Sequence, residues 1–577
     1  MKHFITILLL IVSVLVSAQS NRKYTRVWST YFGGAGTSAV TGVVDSHGNA
    51  IVLFYIGAPI PNEEDYYNQF STDENFPFNE NRTFIAKFSS DGTLIYSKYT
   101  PFFVHDLLID SNDYLYILGT TNNPDLATHH IWDFDFGTSS SIVARLNPDL
   151  LMDWCANVPS DVNSMCFDDD QNLYVAGTTL TNQGITTDGT FQPDFIAEPS
   201  TNGGYIKNGF VFKLNNQGQL QWSTYNGIDL FSPKISFCNN ELVLFFGFNL
   251  TQNTYLFNQY GNYYHTADAY QQTPTNQIVS KFNPNNGQRV YSTYIGNDNF
   301  VITDLACYNG YFYTLSVTSG GLDSSLISPD AYQPNYGGDL YDLHLGKFEH
   351  NLSPIGGTYI GGNGIDYCHP NHKALILNNK TLRLAGGTFS NNLNFDGLTP
   401  YQNNNNNGEE VLIMEFATDG LSPTWGSYFG GSGEDVLPNL IYVDDQTFYV
   451  IGGTTSSQDI ATAGSYQENL SIHPNFPNHT ANGFVTKFVL NNELNVENHH
   501  FGNEFVLYPN PTTEVVTIQA NQLSEINSVE VFNTLGQKVF EDKYNNVVRV
   551  ELNFSQFSKG IYLIKVNDSF LQKVVLK

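Results

Sequence analysis

A short apolar strand with a basic residue near its centre recurs along this chain, and no other feature restricts its fold as strongly. Three copies read Phe-Ile-Ala-Lys-Phe at 84–88, Ile-Val-Ala-Arg-Leu at 142–146 and Phe-Val-Phe-Lys-Leu at 210–214. The central positions of all seven copies are 87, 145, 213, 281, 347, 415 and 487, so they follow one another at similar intervals. A repeat of this length indicates an array of similar supersecondary units.

Each repeat contains three further strand-like segments. A turn such as Ser-Asp-Gly at 90–92 leads to a second strand, for example Trp-Ser-Thr-Tyr at 222–225. The third segment ends in an Asp/Asn/Gly turn, and the fourth is apolar and often ends in Gly-Thr. Aromatic residues make up 14% of the chain, which favours strands over helices. Four strands joined by tight turns predict one antiparallel blade per repeat.

The two ends of the repeat region are complementary fragments. It begins with a second strand at 28–34 that has no first strand before it, and it ends with a first strand at 484–488 that has no second strand after it. Pairing the two would close a ring and remove exposed sheet edges. We therefore predict a seven-bladed β-propeller over residues 19–490. In this prediction the last blade takes one strand from the C-terminal side and three from the N-terminal side.

The N-terminus has the pattern of a secretory signal peptide. Lys2 precedes an apolar stretch at 4–16, and a small-residue cleavage site places Ala18 before Gln19. The apolar stretch is shorter than the ~20 residues that cross a bilayer, and no later segment is apolar enough to span one. Residues 1–18 are thus predicted to be removed on export, which leaves a mature chain without a transmembrane segment.

The net charge of −30 lies almost entirely between the signal peptide and residue 504, because the segment 504–577 carries eight acidic and seven basic side chains. Such a surface repels nucleic acid and anionic lipid, whose binding requires Lys and Arg. It could attract Ca²⁺ or cationic partners, although solubility outside the cell explains the same charge.

A different unit follows a polar linker at 491–503. Short alternating strands at 515–518, 529–533 and 560–566, separated by turn residues, predict that residues 504–577 form a small Ig-like β-sandwich. The fold class predicted for the whole chain is all-β, a seven-bladed β-propeller followed by this sandwich.

Two family resemblances rest on these residues. Tyr-Phe-Gly-Gly at 31–34 and 428–431, together with Gly-Thr-Thr at 119–121, 177–179 and 453–455, resembles the SBBP-type seven-bladed propeller repeats. Asp-Ala-Tyr-Gln at 268–271 and 330–333 is similar to the segment between blades in that family. The end of the chain resembles the type A C-terminal sorting domain of the bacterial type IX secretion system. The residues that carry it are Tyr508, Pro509, Asn510, Pro511, Gly536, Gly560, Tyr562, Lys573 and Lys577.

The second resemblance implies that the type IX secretion machinery is a partner and that the protein reaches the outer-membrane surface or the medium. An ordinary Ig-like binding domain is the alternative for this unit, since a fold alone does not specify a function.

The central residue of the repeated strand is basic in six of the seven copies, with Glu415 as the exception. One hypothesis is a basic ring that captures an anionic ligand. The other is a structural ion pair or an extended aliphatic stem in every blade, which the match to the repeat favours. The six residues are Lys87, Arg145, Lys213, Lys281, Lys347 and Lys487.

Five cysteines do not form a disulfide framework. Cys166, Cys238 and Cys307 occupy nearly the same place in successive repeats, so we expect them to lie in different blades and too far apart to bridge one another. All five cysteines, Cys155, Cys166, Cys238, Cys307 and Cys368, are therefore expected to be buried, inert thiols, with a Cys155–Cys166 bridge across neighbouring strands as the alternative.

No catalytic, cofactor-binding or metal residue is assigned from the sequence. The acidic runs at 133–137 and 168–170 could offer oxygen ligands to Ca²⁺ but lack the spacing of a calcium loop. Cys368, His369 and His372 resemble zinc ligands without a second pair. There is no Gly-x-Ser-x-Gly or His-Glu-x-x-His motif. Calcium is the one cofactor left open.

The leading functional hypothesis is a non-catalytic surface module that binds a glycan or protein through long loops at 58–82, 180–209 and 247–277, which we predict to connect the blades. A polysaccharide hydrolase or lyase with acids gathered from several blades is the second hypothesis. A purely structural surface protein is the third.

Overall fold

Apolar segments punctuated by turns fold into strands throughout the chain, and the computed structural model contains 36 of them in the residues it describes. Those residues are 23–57, 59–60, 63–73, 78–79, 81–132, 140–182, 184–199, 205–228, 230–248, 259–260, 263–369, 373–378, 380–406, 408–477, 480–491, 505–520, 525–533, 537–567 and 570–577. The chain divides into two units, with the boundary between Asn491 and Asn492. The predicted signal peptide, with Ala18 and Gln19, lies outside the described residues, as does most of the linker.

The first unit contains seven antiparallel sheets, which we number as blades from the N-terminus and whose strands run from an inner to an outer position. Blade 1 contains β2 (Thr37–Val44), β3 (Ala50–Ile56), β4 (Thr83–Phe88) and β5 (Leu94–Tyr99). Blade 2 contains β6 (Phe103–Ile109), β7 (Leu115–Thr121), β8 (Ser140–Leu146) and β9 (Met152–Val158). Blade 3 contains β10 (Asp161–Phe167), β11 (Leu173–Thr179), β12 (Asn208–Leu214) and β13 (Leu220–Ile228).

Blades 4 to 6 have the same order. Blade 4 contains β14 (Leu230–Cys238), β15 (Glu241–Phe248), β16 (Gln277–Phe282) and β17 (Arg289–Tyr294). Blade 5 contains β18 (Phe300–Tyr308), β19 (Tyr311–Thr318), β20 (Asp342–Phe348) and β21 (Pro354–Ile360). Blade 6 has a divided inner strand and contains β22 (Asp366–Tyr367), β23 (Leu375–Asn378), β24 (Thr381–Thr388), β25 (Glu410–Ala417) and β26 (Pro423–Phe429). The helical segments are short: α1 (Glu64–Asn68) and 3₁₀ turns at Pro124–Leu126 and Ser324–Leu326.

Blade 7 joins the two ends of the repeat region. It contains β27 (Asp435–Tyr442), β28 (Thr447–Thr454), β29 (Asn482–Leu490) and, as its outer strand, β1 (Tyr24–Phe32). β1 pairs with β29 in an antiparallel register that places Trp28 opposite Lys487. The predicted composition of the closing blade is therefore wrong. Three of its strands come from the C-terminal side of the repeat region and one comes from the N-terminal side.

The inner strands close a ring. Each one contacts the inner strand of the next blade, and β27 contacts β2. Seven hydrophobic clusters fill the spaces between successive blades, so each sheet is buried on both faces. The second unit has its own core between two sheets, ordered β30-β31-β34 and β33-β32-β35-β36. Its strands are β30 (Phe505–Tyr508), β31 (Val515–Ala520), β32 (Ile526–Asn533), β33 (Lys538–Val547), β34 (Arg549–Asn553), β35 (Gly560–Val566) and β36 (Phe570–Leu576). The predicted fold class is confirmed.

The repeat begins at a different strand from the one we predicted. The strand with the basic residue is the third of each blade, and the Trp-Ser-Thr-Tyr strand is the outer one. The long loops at 58–82, 180–209 and 247–277 therefore connect the second and third strands of one blade and do not connect blades. A tandem pattern of four strands has no intrinsic starting point, which is why the sequence misplaced the blade boundary.

In blades 3 to 7 the loop between the second and third strands covers the free edge of the outer strand. A glutamine carbonyl on the loop accepts the backbone N–H of a tyrosine on that strand, as in Tyr294 N to Gln271 O at 3.1 Å. The glutamine N–H in turn donates to a neighbouring hydroxyl, here Thr293 Oγ1 at 2.9 Å. The other four pairs are Tyr31 with Gln467, Tyr225 with Gln192, Tyr359 with Gln333 and Tyr428 with Gln402. This pairing protects edges that would otherwise be open to aggregation.

The expectation for the cysteines is also wrong in part. Cys238 and Cys307 form a disulfide, with their Cα atoms 5.9 Å apart. They do lie in different blades, but the inner strands β14 and β18 converge at the ring, which brings the two side chains within bonding distance. Cys155, Cys166 and Cys368 are free thiols.

Candidate functional site

The central channel is lined by inner strands that share an irregularity. In six blades the pairing of the inner strand with the second strand shifts register at the same level, between Val104 and Asp106 in blade 2 and between Ile302 and Asp304 in blade 5, for example. An extra residue of this kind changes the direction of the side chains beside it. Polar side chains thereby enter a channel whose walls would otherwise be apolar.

A cavity of about 290 Å³ lies in this channel, between the inner strands of blades 2 to 6. Its volume is near the lower end of the range for small-molecule sites, roughly 300 Å³. Its charged and titratable lining comes from several strands that are far apart in sequence. These residues are His105, Asp106, Cys166, Lys234, Asp304 and Lys373.

Lys373 crosses the channel. Its Nζ donates to the carbonyl oxygen of Leu107 at 2.9 Å and lies 3.5 Å from Asp106 Oδ1. Lys373 belongs to blade 6 and its two partners belong to blade 2, which are not neighbours in the ring. The side chain therefore links blades 2 and 6 across the channel, and the charge of Asp106 is balanced by an ion pair.

Asp304 anchors two blades to each other. Its Oδ2 accepts the backbone N–H groups of Ala374 and Leu375, both at 2.9 Å, and its Oδ1 accepts the N–H of Leu305 at 2.9 Å. Burial raises the pKa of Asp304, while nearby Lys234 and these backbone donors act in the opposite direction. Backbone N–H groups of the protein itself therefore hold the carboxyl group of Asp304 in place.

Among the described residues, Lys234 is the basic residue of the cavity lining that has no ion-pair or hydrogen-bond partner for its side chain. Within the described part of the chain its Nζ makes no hydrogen bond or ion pair, although it lines the cavity together with Asp106 and Asp304. Burial lowers the pKa of Lys234, and the two carboxylates partly oppose that change. Burial also lowers the pKa of His105, which therefore favours the neutral imidazole. The cavity presents the amino group of Lys234 and an imidazole beside carboxylates that are already engaged.

Apart from Cys166, these residues were not predicted from the sequence. Their signal was a charged residue in the middle of an inner strand, as in Val-His-Asp-Leu at 104–107 and Thr-Asp-Leu at 303–305, where blades 1, 3 and 7 have the uncharged Thr41, Ser164 and Asn439. The irregular register hides that signal, because it breaks the alternation that assigns side chains to one face.

The six basic residues of the third strands lie between blades and do not line this cavity. Five of them donate to a backbone carbonyl in the turn before the outer strand of the next blade: Arg145 to Asn216, Lys213 to Pro284, Lys281 to His350, Lys347 to Thr418 and Lys487 to Ser90. Acidic side chains pair with four: Lys87 with Asp45 at 2.8 Å, Arg145 with Asp153 at 3.5 Å, Lys213 with Asp168 at 3.2 Å and Lys281 with Glu241 at 2.8 Å. The five carbonyl contacts join adjacent blades, whereas each of the four ion pairs lies within one blade.

Glu415 departs from the repeat because its neighbour is blade 7. There the turn between the third and outer strands is replaced by the ends of β29 and β1, and Lys23 stands beside Glu415. Arg383 lies 2.8 Å from Glu415 Oε2, and the Tyr24 hydroxyl donates to the same oxygen at 2.6 Å. Burial alone would raise the pKa of Glu415, but Arg383 and Lys23 lower it to about 2.

The candidate metal ligands that lie among the described residues do not converge on one point. The Asp168 carboxylate accepts hydrogen bonds from Asn172 and from the Tyr174 hydroxyl and pairs with Lys213. Cys368 Sγ lies 2.8 Å from Thr303 Oγ1. Residues 133–139 and 370–372 lie outside the described residues. Among the residues that are described, no group of three or more His, Cys, Asp or Glu side chains could hold a metal ion.

In the second unit, several described residues of the predicted sorting motif lie beside or in the last strand. Asn510 and Thr512 contact β36, and the Tyr562 hydroxyl donates to Ser558 O at 2.7 Å. Lys573 and Lys577 are exposed. Tyr508 ends β30, Gly560 begins β35, and Gly536 lies outside the described residues.

Residues 506–577 match the family described as the secretion system C-terminal sorting domain. The chain is therefore an exported propeller protein that carries a type IX sorting domain, and its destination is the cell surface or the medium. No helix in the described residues is long and apolar enough to cross a membrane. No curated protein matches the sequence.

Several solved structures are similar to the chain at low sequence identity. A protein of unknown function from Dyadobacter fermentans has a TM-score of 0.35 at 8% identity, covering 81% of this chain and 99% of that one. BamB from Moraxella catarrhalis has a TM-score of 0.34 at 9% identity, with coverages of 81% and 98%. An α-L-arabinofuranosidase from Fusarium graminearum has a TM-score of 0.32 at 9% identity, with coverages of 80% and 98%. Ligands and activities do not transfer at this level of similarity.

Proposed function

We propose that this protein is a non-catalytic binding module of the cell surface or medium, a member of the SBBP-type propellers that the type IX system exports. Its ligand is a saccharide with an anionic group, held in the central cavity by Lys234. The observation that carries the proposal is the position of the Lys234 ammonium in a cavity of small-molecule size, without an ion pair among the described residues.

The state of the two carboxyl groups favours binding over turnover. Asp304 is occupied by three backbone donors and Asp106 by Lys373. A glycosidase needs one carboxyl group to give a proton and another to act as base or nucleophile, and both must reach the substrate. Lys234 and His105, in contrast, have hydrogen-bonding capacity directed at the cavity, which suits an acidic sugar.

The test is binding of defined oligosaccharides to the purified mature protein. Oligouronates and neutral β-glucan oligomers of equal length are titrated calorimetrically against the wild type and Lys234→Met. We expect oligouronates to bind the wild type and Lys234→Met to bind them at least about tenfold more weakly, equivalent to ~1.4 kcal/mol. The matched control is Lys207→Met, which removes an exposed lysine paired with Asp161. Equal loss in both variants, or preference for the neutral oligomers, would contradict the proposal.

A second candidate function is a polysaccharide hydrolase or lyase, since Asp106, Asp304 and His105 line one cavity. New reducing ends or unsaturated products released from the same oligouronates, and abolished by Asp106→Asn, would favour this enzyme. Absence of both binding and turnover across the panel would leave a purely structural surface protein.

A further inference from the structure

The final strand of the sorting domain is the edge of its sheet. β36 pairs with β35 on one side only, from Gly560 opposite Leu576 to Val566 opposite Phe570. Its other edge would expose backbone N–H and C=O groups, which need partners wherever they are not hydrated. The segment 510–512, which follows β30 of the opposite sheet, lies along this second edge.

Four hydrogen bonds fix the strand there, and all of them use backbone atoms of the C-terminal segment. Asn510 Nδ2 donates to Lys573 O at 2.6 Å, and Val575 N donates to Asn510 Oδ1 at 3.0 Å. Thr512 N donates to Val575 O at 2.9 Å, and Lys577 N donates to Thr512 O at 2.9 Å. The amide side chain suits this place because it both donates and accepts.

These contacts help to set the register of β36 through its backbone atoms, so they do not depend on which side chains the strand carries. Lys573 and Val575 are two positions apart, so their backbone groups face the same edge. A slip by one position would turn this edge inward and exchange buried Val574 and Leu576 with exposed Lys573 and Lys577. The side chain of Asn510 thus adds to the pairing with β35 in holding the register that leaves Lys573 and Lys577 facing solvent.

We propose that Asn510 is a positioning residue of the sorting signal, which holds β36 in the register that presents Lys573 and Lys577 to the secretion machinery. The inference rests on the sorting function of residues 506–577 and does not depend on the ligand of the propeller. The Tyr-Pro-Asn-Pro-Thr segment and the C-terminus, which lie at opposite ends of the sorting domain's sequence, then act as one composite signal.

The experiment compares full-length variants in the native host. Asn510→Ala removes both side-chain bonds to β36, whereas Asn510→Asp keeps the acceptor for Val575 N and loses the donor to Lys573 O. We expect most of the Asn510→Ala protein to be retained in the periplasm and Asn510→Asp to be exported at an intermediate level. Amide hydrogen exchange on the purified protein should show about tenfold less protection in β36, since two ordinary hydrogen bonds are lost.

The matched control is Asn553→Ala, which removes an asparagine that accepts the N–H of Ser555 at 2.8 Å in the turn after β34, away from β36. Export of Asn553→Ala at wild-type level, with retention of an equally stable Asn510→Ala, supports positioning. Normal export of Asn510→Ala overturns the proposal. Retention of both variants in proportion to their loss of thermal stability also overturns it, because Asn510 would then be merely structural. Normal export of a chain that lacks residues 506–577 would instead refute the sorting function itself.

Discussion

Two pairs of buried carboxyl groups lie where successive blades meet. Asp342 begins β20 of blade 5 and faces Asp366 of blade 6, and Glu410 begins β25 of blade 6 and faces Asp435 of blade 7. Asp342 Oδ2 accepts the N–H of Gly337 at 2.5 Å, and its Oδ1 has no partner among the described residues. Burial, and then Asp366, raises the pKa of Asp342 to about 7, while burial, and then Asp435, raises the pKa of Glu410 to about 7.

These pKa values predict that the propeller loses stability as the pH rises. The unfolded chain releases the Asp342 proton near pH 4, whereas the folded chain keeps it up to about pH 7. Between these values the native state binds more protons, so the free energy of unfolding falls as the pH increases. Asp342→Asn should therefore stabilise the protein by about 2 kcal/mol at pH 8 and change little at pH 4.5.

Denaturant unfolding at the two pH values checks this prediction. Asp330→Asn is the control, because Asp330 is exposed on the loop before the same strand. A gain in stability at pH 8 that Asp330→Asn matches would show a general charge effect of this acidic protein.

At the scale of single elements, adjacent blades are held together by repeated contacts. The basic residue on the third strand of one blade donates to the turn before the outer strand of the next blade. Glu415 is the one place where the sign of the charge is reversed, since Lys23 and Arg383 replace the missing turn. Arg383 is fully buried, so its charge depends on Glu415 for compensation.

Glu415→Gln should lower the free energy of unfolding by about 3 kcal/mol, because it leaves a buried guanidinium without its carboxylate. Lys281→Gln is the matched change at the same position of blade 4, where the partner Glu241 is partly exposed. Its cost should stay near ~1 kcal/mol. Equal losses of stability for the two variants in thermal unfolding would contradict a special role of the Glu415–Arg383 ion pair where blades 6 and 7 meet.

The sequence predicts the number of blades well because the third strand carries a charged residue at its centre seven times, basic in six copies and acidic at Glu415. It does not predict where a blade starts, since a four-strand pattern can be divided at any turn. The disulfide was missed because spacing along the chain says nothing about the convergence of β14 and β18 at the ring. The cavity was missed because an extra residue in the inner strands conceals which side chains enter the channel. The position of Lys234 in the cavity becomes apparent only when the blades are arranged in a closed ring.

Considered as a whole, the propeller is a ring stabilised by two kinds of closure. The pairing of β1 with β29 closes blade 7, and the Cys238–Cys307 disulfide joins blades 4 and 5 covalently. The bridge spans 69 residues of sequence, and a loop of this length is worth about 4 kcal/mol in the chain-entropy account.

Reduction of the protein, or Cys238→Ser, should therefore lower its unfolding temperature markedly. Mass spectrometry after alkylation should find Cys155, Cys166 and Cys368 modified in the unfolded oxidised protein, with Cys238 and Cys307 modified only after reduction. Cys155→Ser is the control variant for the loss of a thiol without the loss of the bridge. An unfolding temperature that does not change on reduction would contradict the stabilising role.

The shared seventh blade also imposes an order on biosynthesis. β1 leaves the ribosome before every other described strand, and its partner β29 is synthesised only after the other six blades. Until then the N-terminal strand has nowhere to dock, so a translation stop anywhere before residue 482 yields a chain that cannot complete its circle. Closure of the ring is therefore confined to chains synthesised at least to the end of β29, and a chain of that length already contains every described strand of the propeller.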